Sequence, residues 1–321
     1  MLVRSLCTLL IVLSAAFTPH RDPSFEVGGG TIDVNLDSDL SQTAQDNLMN
    51  WVHTAANSVV SYYGRFPLQH TYLNVRSFDG RGVHNGHTFG LHNGGLIRIS
   101  VGTQTTPEEF KKDWMMTHEM VHLTFPSVPE EHHWIEEGIA VYVEPLARFR
   151  AGNMSKAEVW GEMARDMHQG LPEEGDEGLD NTHTWGRTYW GGALFCLIAD
   201  IEIRQRTHNQ KGLEDALRGV MNNGGVITED WELSHVLEVA DKAVDVPVLE
   251  ELYAKMKDKP VSVDLDKLFA QLGVVRNGDV AKFDDHAALA SIREAISTGK
   301  PGKPITTKVA LDSLMSSGAA R

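Results

Sequence analysis

Six consecutive residues of this 321-residue chain, Thr117-His118-Glu119-Met120-Val121-His122, combine two imidazoles and a carboxylate at a spacing that can hydrolyse bonds. On a helix, His118 and His122 stand one turn apart on one face, with Glu119 beside them. Two converging neutral imidazoles suit a zinc ion, and a neighbouring carboxylate left off the metal can act as general base. A catalytic zinc takes three protein ligands and keeps a fourth position for water. The third is supplied after a short Pro-containing loop, in the stretch from Trp134 to Glu144, where Glu137 can reach back. Glu136 is the alternative.

The elements that must hold these groups are signalled nearby. Thr106 reads as a helix N-cap, Pro107 as the first helical position, and Thr106 with Glu109 as a capping box. Phe110, Trp114 and Val121 recur near helical spacing with the two histidines, which places the imidazoles on the inward face. Pro126 and Pro129 stop the pattern. One helix over 107–124 is predicted, about 27 Å long at 1.5 Å per residue.

Trp134-Ile135-Glu136-Glu137-Gly138 and Thr188-Tyr189-Trp190-Gly191-Gly192-Ala193 extend the pattern. With the histidine word, they resemble the W-x-x-E-G and Y-x-x-G-A motifs of the gluzincin peptidases, particularly the alanyl-aminopeptidase-like and glycyl-aminopeptidase-like families. The resemblance spans residues 80–225 and is concentrated in the three motifs. It implies a zincin-like α+β fold, zinc held by His118, His122 and Glu137, Glu119 as the base, and Tyr189 as donor to the transition-state oxyanion. Glu144, two turns beyond Glu137, matches a family acid and is expected to orient a ligand histidine. Two departures stand out: only residues 123–136 separate His122 from Glu137, and no G-x-M-E-N segment is present to anchor a substrate amino terminus.

The rest of the chain sets the context. Arg4 before an apolar run over 6–17, with Ser14 and Ala16, reads as a signal peptide cleaved after Ala16; the run falls short of the roughly 20 residues of a spanning helix. A retained anchor is the alternative. A net charge of −15 disfavours nucleic acid and anionic membrane surfaces as partners. Loss of Cys7 with the leader would leave Cys196 alone, in an apolar run where a buried thiol is expected and no intrachain disulfide can form.

Residues 17–105 read as an α/β lobe: a strand over 31–36, a helix over 41–63, strands over 71–75 and 96–101, and Gly-rich hairpins over 80–95. His84, His87 and His92 in that stretch are turn residues, with a second metal site as the alternative. Residues 106–150 hold the zinc helices. Residues 151–298 read as a helical lobe, with helices over 155–167, 185–206, 213–221, 229–239, 248–256, 265–272 and 284–296. An acidic loop over 171–181 interrupts it, solvated by default and calcium-binding as the alternative. Residues 299–321 read as a flexible tail.

The expected protein is a secreted or periplasmic zinc metallopeptidase acting on a peptide or protein. Two alternatives are a secreted binding protein on a peptidase scaffold and a zinc hydrolase of another amide or ester.

Overall fold

The computed structural model describes residues 23–37, 40–302 and 309–318, so the expected leader lies outside the described residues. Strands β1 (Ser24–Val27), β2 (Gly30–Leu36), β3 (His70–Phe78), β4 (Val83–Leu91) and β5 (Gly94–Gly102) form one sheet in the order β1-β2-β3-β5-β4. The inner strands β2, β3 and β5 run parallel; β1 and β4 pair antiparallel at the two edges. Alternation along β2 and β5 sends Ile32, Val34, Ile97 and Ile99 into the core. Helix α1 (Gln42–Tyr63) opens on Ser41, whose hydroxyl accepts from Ala44 N at 3.3 Å, and closes on Gly64 at φ 85°.

The single helix predicted over 107–124 is two: α2 (Pro107–Lys112) and α3 (Met115–His122). The Thr106–Glu109 capping box forms as expected. Asp113 then leaves the helical conformation at ψ 136°, and its Oδ1 accepts from Met115 N at 3.0 Å. Aspartate competes with the helix for backbone donors in this way, and apolar periodicity alone does not register it. The break turns Trp114 outward: expected on the inward face, it is 45% exposed.

Helix α4 (His133–Arg150) packs against α3 and α1. The expected helix over 185–206 begins as a π-helical turn, Gly186–Gly191, before α6 (Gly192–Arg206). Such turns recur at functional sites. Gly138 of α4 and Gly192 of α6 let the two backbones meet: a Cβ on Gly192 would lie 2.7 Å from Gly138 Cα and closer still to the Trp134 carbonyl oxygen. Gly192→Ala is therefore expected to cost about 2–3 kcal/mol or more, because backbone rather than a flexible side chain must yield. An unchanged denaturation midpoint would contradict this crossing.

Helices α5 (Lys156–Asp166), α7 (Leu213–Asn222), α8 (Leu233–Val244), α9 (Val248–Met256), α10 (Leu265–Leu272) and α11 (Ala290–Thr298) complete the helical part. It is not helical throughout. Strands β7 (Val274–Asn277) and β8 (Val280–Phe283) form a hairpin before α11. Part of the expected tail is also built: Met315–Ser317 (β9) pairs antiparallel with Val261–Val263 (β6). The architecture is α+β, a small sheet region followed by a mainly helical remainder. Among the described residues no helix is long and apolar enough to cross a membrane.

Candidate metal centre

Helices α3 and α4 bring His118, His122 and Glu137 together. His118 Nε2 lies 3.2 Å from His122 Nε2 and 3.1 Å from Glu137 Oε2; His122 Nε2 lies 3.6 Å from the same oxygen. Donors on a tetrahedral zinc at about 2.0–2.2 Å sit about 3.3–3.6 Å apart, so these three atoms come within about 0.2 Å of one face of the tetrahedron. Among the described residues they are the one group of three or more such side chains that could hold an ion. His84, His87 and His92 are exposed on β4 and the following turn and form no second group.

Electrostatics agree with a site built for a cation. Burial raises Glu137, but hydrogen bonds from His118, His122 and His133 outweigh it and hold the carboxyl well below its usual range. Burial pulls His118 down, with the Glu137 bond offsetting part of the effect. Burial also lowers His122, yet Glu137, Glu119 and Glu136 together raise it. A dication would replace these protons as the partner of the carboxylate.

Glu119 is buried on α3 against strand β4. Thr88 Oγ1 donates to its Oε2 at 2.7 Å, and Gly86 leaves it space, since a Cβ there would lie 2.5 Å from Oε1. The β-bulge between His84 and His87, with Asn85 at φ 54°, accompanies this close approach. Neither Thr88 nor Gly86 was singled out from sequence; the Asn85-Gly86 pair in a strand was the available signal.

Tyr189 sits in the π-helical turn, its ring stacked 6.3 Å from that of His118. Its hydroxyl is pushed up to about 12, first by burial and then by Glu137. Two exposed tryptophans flank the pair. Trp114 meets His118 edge-on at 5.1 Å, and Trp185 stacks on Tyr189 at 5.6 Å.

Glu136 is not positioned as a ligand. Its Oε1 accepts from Val128 N at 2.9 Å and its Oε2 pairs with His133 Nδ1 at 3.0 Å. Glu144, expected to orient a ligand histidine, lies elsewhere: its Oε1 accepts from Arg148 Nη1 at 2.9 Å, and burial pushes its carboxyl up to about 8. His118 Nδ1 is buried without a hydrogen-bond partner.

In the acidic loop over 171–181 Glu173, Glu174 and Glu177 are exposed as expected, while Asp176 and Asp180 act as a clasp. Asp176 pairs with buried Arg187 in the Tyr189 turn, and Asp180 accepts from Trp134 Nε1 at 2.9 Å and Tyr253 OH at 2.7 Å. Asp180 also pairs with His132 Nδ1 at 3.0 Å. The loop thus ties the start of α4 to the turn that carries Tyr189. Sequence composition marked the acids but not their partners, which lie up to 73 residues away.

No family model matches the sequence, and no curated protein is detectably similar to it. Solved structures are. An aminopeptidase N family protein from Idiomarina loihiensis superposes with a TM-score of 0.58 at 12% identity, over 83% of this chain and 52% of that one. The M1 zinc metallopeptidase from Deinococcus radiodurans gives 0.45 at 13%, over 73% and 50%. The chain shares its fold with that aminopeptidase N family protein. At these identities the likeness is one of fold alone, and the chain spans about half the length of those proteins.

Proposed function

We propose that the chain is a zinc-dependent peptidase that hydrolyses peptide bonds, exported as its leader sequence suggests. The observation that carries this reading is the convergence of His118, His122 and Glu137 within 4.8 Å, with Glu119 and Tyr189 beside them. Zinc held by the three would lower the pKa of a water from 15.7 towards about 7 and polarise the substrate carbonyl. Glu119, kept off the ligand set and fixed by Thr88, would take the proton from such a water and return it to the departing amine. Tyr189, with its hydroxyl pushed up to about 12, stays protonated at neutral pH and donates a hydrogen bond to the oxyanion.

An extended peptide fits the open edge of the sheet. Among the described residues strand β4 pairs only with β5 and packs against α3, so its outer main-chain groups can take up a substrate strand beside Glu119. Trp114 and Trp185 offer apolar faces to side chains near the scissile bond.

Tyr189→Phe tests the oxyanion role. Turnover should fall about 10²- to 10³-fold with KM little changed, because the bond strengthens only as charge develops on the oxygen. Unchanged kcat with a raised KM in steady-state assays would instead make Tyr189 a substrate-binding residue.

A further inference from the structure

We infer that His133 positions the third metal ligand, holding one oxygen of Glu137 so that the other faces His118 and His122. This rests on the metal reading proposed above. His133 opens α4 one turn before Glu137, and its Nε2 lies 3.3 Å from Glu137 Oε1. The other oxygen, Oε2, is the one that meets His118 Nε2 at 3.1 Å and His122 Nε2 at 3.6 Å. Each carboxylate oxygen therefore has its own partners, and rotation about the last side-chain bond, which would exchange them, is opposed. A glutamate ligand on a flexible side chain gains most from such a restraint.

The restraint is itself anchored. His133 Nδ1 bonds Glu136 Oε2 at 3.0 Å, and Glu136 Oε1 accepts from Val128 N at 2.9 Å. A continuous line of hydrogen-bonding groups thus runs from the backbone of the loop between α3 and α4, through Glu136 and His133, to Glu137. The sequence makes this line useful: only residues 123–136 connect His122 to Glu137, so the loop must deliver the first turn of α4 directly to the metal. Residues spaced 133, 136 and 137 share one side of that turn, so the helix itself sets the relay geometry.

A purely structural role is the competing account. Pairs three and four residues apart on a helix stabilise it slightly whatever ligand is present, and the His133 side chain is 42% exposed. The two accounts differ in what they do to the metal. Ligand-orienting partners typically change metal affinity 10- to 100-fold, whereas a helix-surface pair changes stability alone.

Zinc affinity of the full chain, measured by competition with a chelator of known affinity, decides between them. His133→Ala is expected to weaken zinc binding by about 10- to 100-fold, with little change in the thermal midpoint of the metal-free chain. His133→Gln, whose amide can still donate to Glu137 Oε1, should retain most of the wild-type affinity. Glu136→Ala should give an intermediate loss. Unchanged affinity in His133→Ala, or a loss equal in the alanine and glutamine variants, would overturn the inference. So would a loss that merely tracks a lower metal-free midpoint. A wild-type chain that takes up no zinc would sink the metal reading as well, and that result is visible before any substitution is made.

Discussion

Glu119→Gln should leave the fold and zinc content intact while lowering peptide hydrolysis by at least about 10²-fold. The substitution changes one atom of the carboxylate and preserves its shape, so the packing against Gly86 persists. Its amide oxygen can still accept from Thr88 Oγ1, which lies 2.7 Å from Oε2 in the wild type. Among the described residues Glu119 hydrogen-bonds Thr88, whereas His118 pairs with Glu137 and His122, so the ligand set is undisturbed. The proton-accepting capacity alone is lost, and general-base transfer of that kind is typically worth about 10²–10⁴ in rate. Full activity in this variant would refute the assigned role of Glu119. Zinc and peptide binding by the wild type without any cleavage would favour the binding-protein alternative.

The second large effect is on the metal. His122→Ala or Glu137→Ala removes one of three protein ligands, and stoichiometric zinc should be lost on dialysis against a chelator that spares the wild type. Glu137→Ala is the more informative because it also tests Glu136. That carboxylate is committed to Val128 N and His133, and to bind a metal it would have to abandon both. Retention of full zinc in Glu137→Ala would therefore mean that the loop before α4 rearranges and that the ligand assignment moves to Glu136.

Much of the positioning framework was legible because it obeys local rules. Ser41 with Gly64, the Thr106–Glu109 box and the Ser155–Glu158 box mark helix ends through short-range hydrogen bonds, and those ends fall where the sequence places them. Gly192, in the Gly191-Gly192 pair, lies where α6 crosses α4 at Gly138. Convergence of His118, His122 and Glu137 followed from spacing along two helices.

The failures have equally specific causes. Asp113 sits in a stretch whose apolar period continues across it, yet its side chain caps α3 and breaks the helix. The hairpin over 274–283 carried its own signal, an Asn277-Gly278 pair between short apolar runs, with Gly278 at φ 68°. It falls between the helices expected over 265–272 and 284–296. The role expected of Glu144 came from a motif match, and position along α4 did not reveal that Arg148, one turn on, would engage it. The Asp180 clasp depends on contacts between segments, which composition cannot supply, whereas the spacing of His133, Glu136 and Glu137 along one helical turn was a local signal.

Metal content of the purified chain, measured together with peptide hydrolysis before and after chelation, bears most directly on the central claim. About one zinc per chain is expected, with hydrolysis that disappears on chelation and returns when zinc is restored. A chain that binds no zinc, or that cleaves peptides equally well after the metal is removed, would contradict it.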